Sequence, residues 1–411
     1  MIKQFLFFFL LSMTFLEGKT TFKARSEIAL LINADTGAVL YEKNGSLLCH
    51  PASTTKLATA LYAAHLQTDW EEIIEVPSEA IGSISYEAKK RANYKKPAYW
   101  VEVGSTHVGL KKGEKLSFHN LMAATIVASA NDAANVIAYH TGKGDIDLFV
   151  KGLNKYLKEE LGCKKTTFYN PHGLFIPDHQ TTAKDMALIT RAFLKDKRLK
   201  NLGSLSTFPV DETNKQEARL LVNKNKLLRK GEHYYPKAIG LKTGYTNDAR
   251  HTLVAAAEDK ERCLIAVLMK CEEKDDIFKD AKDLFESAFA EEKVSQTLLK
   301  NTSKSVKKKL ERSNTQLEAI PEKEVSLSYY PSEEPQLYEK VVWNSTLELP
   351  IHAGQRVAEI SWRTDEGFTV LEVPLVAAAD IHSNKVNVAL IGGLSLLTLA
   401  LIWWRISRNF R

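Results

Sequence analysis

The chain has 411 residues, 44% hydrophobic and 26% charged, a balance that excludes a disordered polypeptide and leaves room for two domains. Its net charge of +6 is modest and spread along the chain, so composition gives no support to nucleic-acid binding. Only residues 304–312 are markedly basic, and that run reads as a solvated linker.

The N-terminus reads as an export signal. Lys3 is followed by an apolar run from Phe5 to Leu16 and then by Glu17, Gly18 and Lys19, with cleavage expected near Gly18 or Ala24 and an uncleaved anchor as the alternative. Residues 27–41 read as a hairpin, with a strand at 28–32, a turn at Asp35-Thr36-Gly37 and a return at 38–41. Next comes Pro51-Ala52-Ser53-Thr54-Thr55-Lys56, entering an apolar helix in which Leu57, Ala60, Leu61 and Ala64 form the buried stripe. Helical spacing puts Ser53 and Lys56 on one face, about one turn apart. A serine held there against a lysine in a dry groove can be a nucleophile paired with its own base, because burial disfavours the ammonium form. The spacing alone is weak. Ser305 and Lys308 repeat it inside a polar, lysine-rich stretch, where it carries no chemistry.

Residues 75–100 are polar and read as an irregular surface excursion, and 104–110 as a short strand. Ser117 is placed to cap a helix at 121–127, which stops at Ser129-Ala130-Asn131 before helical character resumes at 133–139. Such a turn can present a hydroxyl and an amide to a groove; on its own it reads as helix-linking turn chemistry. Asn170-Pro171-His172-Gly173-Leu174 reads as a loop, with His172 structural, and a helix runs from Thr182 to Phe193. Gly240 to Thr246 opens a sheet section with further strands at 252–257 and 263–269, closed by an amphipathic helix at 275–290. From about residue 294 polar residues dominate to 324. Strands then read at 325–329, 346–349, 356–362 and 368–373, a small antiparallel β domain.

Residues 386–404 carry no charge and approach the roughly 20 needed to span a bilayer. Trp403 and Trp404 form an interfacial belt, and Arg405, Arg408 and Arg411 place the C-terminus in the cytoplasm. The four cysteines, Cys49, Cys163, Cys263 and Cys271, show no metal or redox spacing; in an exported chain they allow three full disulfide pairings, although Cys49 reads as a buried structural thiol. The eleven histidines are scattered without a zinc motif, so neither a metal nor another cofactor is expected.

Ser53-x-x-Lys56, Ser129-x-Asn131 and Lys242-Thr243-Gly244 occur in that order, 76 and 113 residues apart. With Pro171-His172-Gly173-Leu174, Ala183-Lys184-Asp185-Met186 and Gly240-Leu241 around them, residues 27–381 resemble the serine-type D-alanyl-D-alanine carboxypeptidases, the low-molecular-mass penicillin-binding proteins. The resemblance implies an α/β (α+β) fold of the penicilloyl-serine transferase and β-lactamase type, with a five-stranded antiparallel sheet between helices and a β-rich second domain. The expected division is a signal at 1–24, a catalytic domain at 25–293, a β-rich domain at 294–381, a membrane helix at 386–404 and a cytoplasmic tail at 405–411. The catalytic domain is then expected on the periplasmic side of a bacterial cytoplasmic membrane, bound to it through the C-terminal helix.

The same resemblance implies that Ser53 attacks the carbonyl between two D-alanines of a peptidoglycan stem peptide, with Lys56 as base and Ser129 relaying a proton to the leaving nitrogen. Asn131 would hold the peptide amide, Thr243 the terminal carboxylate, and Lys242 would keep the groove positive. The oxyanion would sit between the backbone N–H groups of Ser53 and Tyr245, next to Gly244. β-Lactams would acylate the same serine. Three positions depart from the family pattern: Tyr245 stands where histidine is frequent, Arg250 where glycine is common, and Lys224 where an arginine helps bind carboxylate. Lysine lacks that arginine's two-pronged donor fork.

Competing readings are a DD-endopeptidase using the same site, a class A-like β-lactamase, and a non-catalytic wall-binding scaffold. The β-lactamase reading lacks its water-activating Glu, since Asp178 is the single acid in 164–180.

Overall fold

The structure is a computed structural model and describes residues 22–94, 97–299, 305–310, 316–364 and 369–382. The export signal up to residue 21, the apolar segment 386–404 and the tail 405–411 lie outside the described residues. Among the described residues no helix is long and apolar enough to cross a membrane. The chain divides into two compact units, residues 1–291 and 292–411.

The first unit is built on a five-stranded antiparallel sheet in the order β2-β1-β11-β10-β9. Its early strands are β1 (Ile28–Asn33) and β2 (Val39–Lys43). A single 3-10 turn, Ala52–Thr54, then leads into α1 (Thr55–Leu66). A small lobe follows: β3 (Ile73–Glu75), β4 (Ser83–Ile84), α2 (Tyr86–Arg91), β5 (Val101–Glu102) and β6 (Lys115–Ser117). The helices α3 (Phe118–Ile126), α4 (Asn131–Thr141), α5 (Ile146–Glu159), α6 (Ala183–Lys195) and α7 (Lys197–Ser204) come next. The hairpin β7 (Thr207–Val210) and β8 (Arg219–Val222) precedes β9 (Ala238–Thr246), β10 (Arg250–Asp259), β11 (Arg262–Cys271) and α8 (Asp276–Phe289).

Both faces of this sheet are covered, which is why its inner strands read as continuous apolar runs instead of alternating ones. The period of two sorts them. Ile28, Leu30 and Ile32 join Val254, Ala256, Ile265 and Val267 against the helical layer of α1 and α3–α6. Ala29 and Leu31 join Leu253, Ala255, Leu264 and Ala266 against Phe278, Leu284 and Phe285 of α8. The sheet is thus a rigid partition with α1, and the serine at its head, pressed on one side.

Several elements differ from the sequence expectations. Residues 75–100 are irregular only in part: after the end of β3 they hold a 3-10 turn at 79–81, β4 and α2, and Lys89 is buried there with its ammonium 2.8 Å from Glu102. Residues 104–110 form no strand; the strand in this region is β6, paired with β3. Helix α5 was missed, although Ile146, Phe149, Val150, Leu153 and Leu157 recur at helical spacing and are all buried. Ser117 caps α3 as expected, accepting from Asn120 N at 3.1 Å, and Thr182 caps α6, accepting from Asp185 N at 3.1 Å. All four cysteines are free thiols.

The second unit is β-rich. A five-stranded sheet runs β13 (Val306–Lys309), β14 (Gln316–Pro321), β18 (Thr369–Ala377), β17 (Arg356–Arg363) and β16 (Tyr338–Trp343) in spatial order, and β12 (Val294–Leu299) pairs with β15 (Val325–Tyr329). Its core is Leu317, Ala319, Ile360, Trp362 and Leu375 with their neighbours. Two expectations are corrected here. Residues 346–349 are not a strand, and β16 takes that place in the sheet. The basic run 304–312, read as a linker, contains the edge strand β13, where Lys308 pairs with Leu317 across the ladder. Lysines on an edge strand discourage further pairing.

Candidate active site

The backbone around Ser53 is shaped by two close approaches. Ala52 sits at φ 49°, a left-handed conformation that costs a non-glycine residue about 1–2 kcal/mol. Gly173, in the Pro-His-Gly-Leu loop at φ 88°, lies so near that a Cβ on it would stand 1.8 Å from the Ala52 carbonyl oxygen. Across the turn a Cβ on Gly244 would stand 2.8 Å from Ser53 N and 2.5 Å from Thr252 Oγ1. Strand β9 therefore lies flat against the serine's own turn, and only glycine fits. We expect Gly173→Ala to destabilise the fold by about 3 kcal/mol or more, through steric overlap and a φ that alanine rarely adopts. An unchanged urea midpoint for that variant would contradict this packing.

Lys56 is completely buried on the first turn of α1. Its Nζ lies 3.0 Å from Ser53 Oγ, 2.6 Å from Asn131 Oδ1 and 2.8 Å from the His172 carbonyl oxygen. None of these partners is a carboxylate. Burial pushes the Lys56 pKa well below its usual value, and the charges of Lys242 and Lys224 push it further down against a small opposing pull from Asp132. A neutral amine has two hydrogens and one lone pair. Two acceptors, Asn131 Oδ1 and His172 O, take the hydrogens and leave the lone pair to face the serine hydroxyl.

Asn131 opens α4, and its Nδ2 donates to Ser105 Oγ at 3.0 Å. Ser129 is buried in the turn before it, at φ 63°, so the Ser-Ala-Asn segment is a strained, buried turn, unlike a simple linker. Lys242 is buried on β9, and its Nζ donates to the Thr243 carbonyl at 2.8 Å. Burial, then the charge of Lys224, lowers its pKa to about 7. Thr243 and Gly244 are half-buried beyond it, and Tyr245 is exposed at the strand's end with its ring 4.5 Å from that of His251. Lys224, just past β8, donates to Thr106 Oγ1 at 2.8 Å. Arg250 stands at φ 56°, the region glycine adopts without strain, and lies 3.5 Å from Glu272.

The structure therefore brings Ser53, Lys56 and Asn131 into direct contact, with Lys242 and Lys224 within electrostatic reach of Lys56. Ser305 and Lys308 belong to the other unit. Sequence reasoning missed Ser105, Thr106 and Asp132, although Asp132 directly follows the Ser-x-Asn motif. Its carboxylate accepts from the backbone N–H groups of Val108 at 3.2 Å and Leu110 at 3.0 Å, holding the loop that carries Ser105 and Thr106.

His172 acts as a buried strut. Its Nε2 donates to the Tyr99 carbonyl at 2.9 Å, its Nδ1 accepts from Leu174 N at 3.2 Å, and burial holds it neutral. Cys49 is no rival nucleophile, since burial pushes its thiol up to about 12. Asp178 is exposed. Among the described residues no group of three His, Cys, Asp or Glu side chains is placed to hold a metal ion.

A family model described as D-alanyl-D-alanine carboxypeptidase matches residues 15–273, and one described as penicillin-binding protein 5, C-terminal domain matches 295–383. The D-alanyl-D-alanine carboxypeptidase DacF of Bacillus subtilis is 29% identical over 375 residues, covering 89% of this chain and 88% of its own length. The carboxypeptidase DacD of Escherichia coli is 32% identical over 244 residues, covering 58% of this chain and 57% of its own length. Among solved structures, penicillin binding protein 6B from Escherichia coli aligns with a TM-score of 0.61 at 25% identity, over 87% of this chain and 96% of that one. The carboxypeptidase DacD from Francisella tularensis has the same TM-score of 0.61 at 20% identity, over 91% and 98%, and at that identity speaks for the fold.

Proposed function

The chain belongs to the D-alanyl-D-alanine carboxypeptidase family, and we propose that it removes the terminal D-alanine from peptidoglycan stem pentapeptides through an acyl-enzyme on Ser53. The observation that carries this is the fully buried Lys56 amine, 3.0 Å from the Ser53 hydroxyl and held by two uncharged acceptors, in surroundings that push its pKa down and so favour the neutral base. As Ser53 Oγ bonds to the penultimate carbonyl carbon, its proton passes to Lys56. The oxygen of that carbonyl gains negative charge between the backbone N–H groups of Ser53 and Tyr245, a placement supported by the close approach of Gly244 to Ser53 N. The C–N bond then breaks, the leaving nitrogen takes a proton by way of Ser129, and D-alanine departs. Water repeats the sequence on the ester. Asn131 orients the peptide amide, while Thr243, Lys242 and Lys224 receive the terminal carboxylate.

β-Lactams acylate the same serine and leave slowly. No carboxylate hydrogen-bonds to Ser53 or Lys56 among the described residues, and Asp178, the one acid in 164–180, faces solvent. Lack of a general base for the deacylating water costs about 10²- to 10⁴-fold in rate. Side-by-side measurement should show steady D-alanine release from a stem pentapeptide and a long-lived penicilloyl adduct. Rapid penicillin turnover without D-alanine release would make the enzyme a β-lactamase.

We propose a location from the composition of two segments, 1–24 and 386–404. The uncharged segment 386–404, its tryptophan pair and the arginines behind it support a single C-terminal anchor in the cytoplasmic membrane, with the catalytic domain outside the cytoplasm, after export directed by the N-terminal segment. Deleting 386–411 should move activity from the membrane fraction to the soluble one with its kinetics unchanged. Activity that stays with the membranes after the deletion would rule out that anchor.

A further inference from the structure

Resting on the reading of Lys224 as a cation for the substrate carboxylate, we infer that Glu114 is the positioning residue for that lysine. Glu114, just ahead of β6, is fully enclosed. Its carboxylate accepts from Arg219 Nη2 at 2.6 Å and Thr213 Oγ1 at 3.0 Å on one oxygen, and from Gln216 Nε2 at 2.6 Å and Lys111 N at 3.0 Å on the other. Burying a carboxylate is unfavourable unless donors surround it, and here they do. Three of the four come from the β7–β8 hairpin and one from the loop that runs from β5 to β6.

The junction is reinforced around its edge. Gln216 Nε2 also donates to the Gly109 carbonyl at 3.0 Å, Asn214 Nδ2 to the Gly113 carbonyl at 2.8 Å, and Lys115 N to Asn214 Oδ1 at 2.9 Å. The two joined segments then run on to the groove. Strand β8 ends at Val222, two residues before Lys224, and the loop carries Thr106, whose Oγ1 accepts the Lys224 ammonium at 2.8 Å. Asp132 pins that loop to α4 through Val108 N and Leu110 N. Lys224 itself has no carboxylate within ion-pair distance among the described residues. Its place in the groove is therefore set from outside, by a buried anion that never touches substrate.

The test uses the full chain and four variants, Glu114→Gln, Gln216→Ala, Lys224→Met and the double Glu114→Gln/Lys224→Met. Two probes are compared: an acyl-D-alanyl-D-alanine peptide, and acylation by benzylpenicillin against its methyl ester, which lacks the carboxylate. Glu114→Gln should raise KM for the peptide about tenfold with kcat within about twofold, as expected for loosening one hydrogen-bonded charge. It should slow acylation by benzylpenicillin but not by the ester. Gln216→Ala, which disturbs the junction without unpairing Arg219, should show the same split more weakly. The double variant should be no worse than Lys224→Met alone. Equal losses on both penicillins, or additive losses in the double variant, would overturn the positioning role. If Lys224→Met raises KM while Glu114→Gln and Gln216→Ala do not, the clamp is wrong and the role of Lys224 stands. If Lys224→Met leaves KM unchanged, the reading of Lys224 fails, and the inference with it.

Discussion

Ser53→Ala is expected to abolish covalent labelling by a fluorescent penicillin and to lower D-alanine release on the order of 10⁶-fold, the scale seen when a serine hydrolase loses its nucleophile. Ser305→Ala, the other serine with a lysine three residues on, should label like the parent. The difference lies in the surroundings. Ser53 is held on a 3-10 turn by Gly173 on one side and Gly244 on the other, with the Lys56 amine 3.0 Å from its hydroxyl oxygen. Ser305 sits just before the edge strand β13, beside the half-buried Val306 and exposed Lys307. Removing the Ser53 hydroxyl creates no large cavity, since the side chain is half-buried, so the variant should fold with an unchanged melting temperature. Labelling retained by Ser53→Ala, or lost with Ser305→Ala, would place the nucleophile elsewhere.

The nucleophile and its base were legible because a helix makes them so. Residues three apart on a helix share a face, and the apolar stripe from Leu57 to Ala64 says which way that face is turned. Asn131 and Lys242 were legible only as a set, through the family resemblance, since nothing in a turn or a single strand announces which groove it faces. The loop 104–110 shows the limit of pattern reading. Val108 and Leu110 alternate like a strand, yet their N–H groups donate to Asp132, so the alternation records anchoring to a carboxylate instead of sheet pairing. Leu347 and Leu349 likewise alternate and pack on the core of the second unit without joining a ladder. Pairs such as Glu114 with Arg219 and Lys89 with Glu102 are invisible for another reason. Charged residues normally read as surface, and only the fold reveals that these are enclosed and neutralised by each other.

Lys56→Met should slow acylation by about 10²- to 10⁴-fold, the range for a general base, and should also erase the acid limb of the pH–rate profile. Methionine, unbranched and one heavy atom shorter than lysine, carries no charge into a fully buried site, although it leaves Asn131 Oδ1 and the His172 carbonyl without their donor. In the parent enzyme the active form of Lys56 is the neutral amine, so acylation must rise as pH climbs through its lowered pKa and level off above it. Lys242 works in the opposite sense. With its own pKa near 7 it is charged below that pH and loses its charge above it, so capture of a free carboxylate should weaken on the alkaline side. The product is a bell for a peptide substrate and a rise to a plateau for benzylpenicillin methyl ester. Lys242 is also the largest of the neighbouring charges that depress Lys56. Lys242→Met removes that repulsion, allows Lys56 to hold its proton to higher pH, and should move the acid limb upward while the alkaline limb disappears. The measurement is kcat/KM for the peptide and the acylation rate for the ester across pH in the three proteins. An acid limb that stays in place in Lys56→Met would assign the proton transfer to another group.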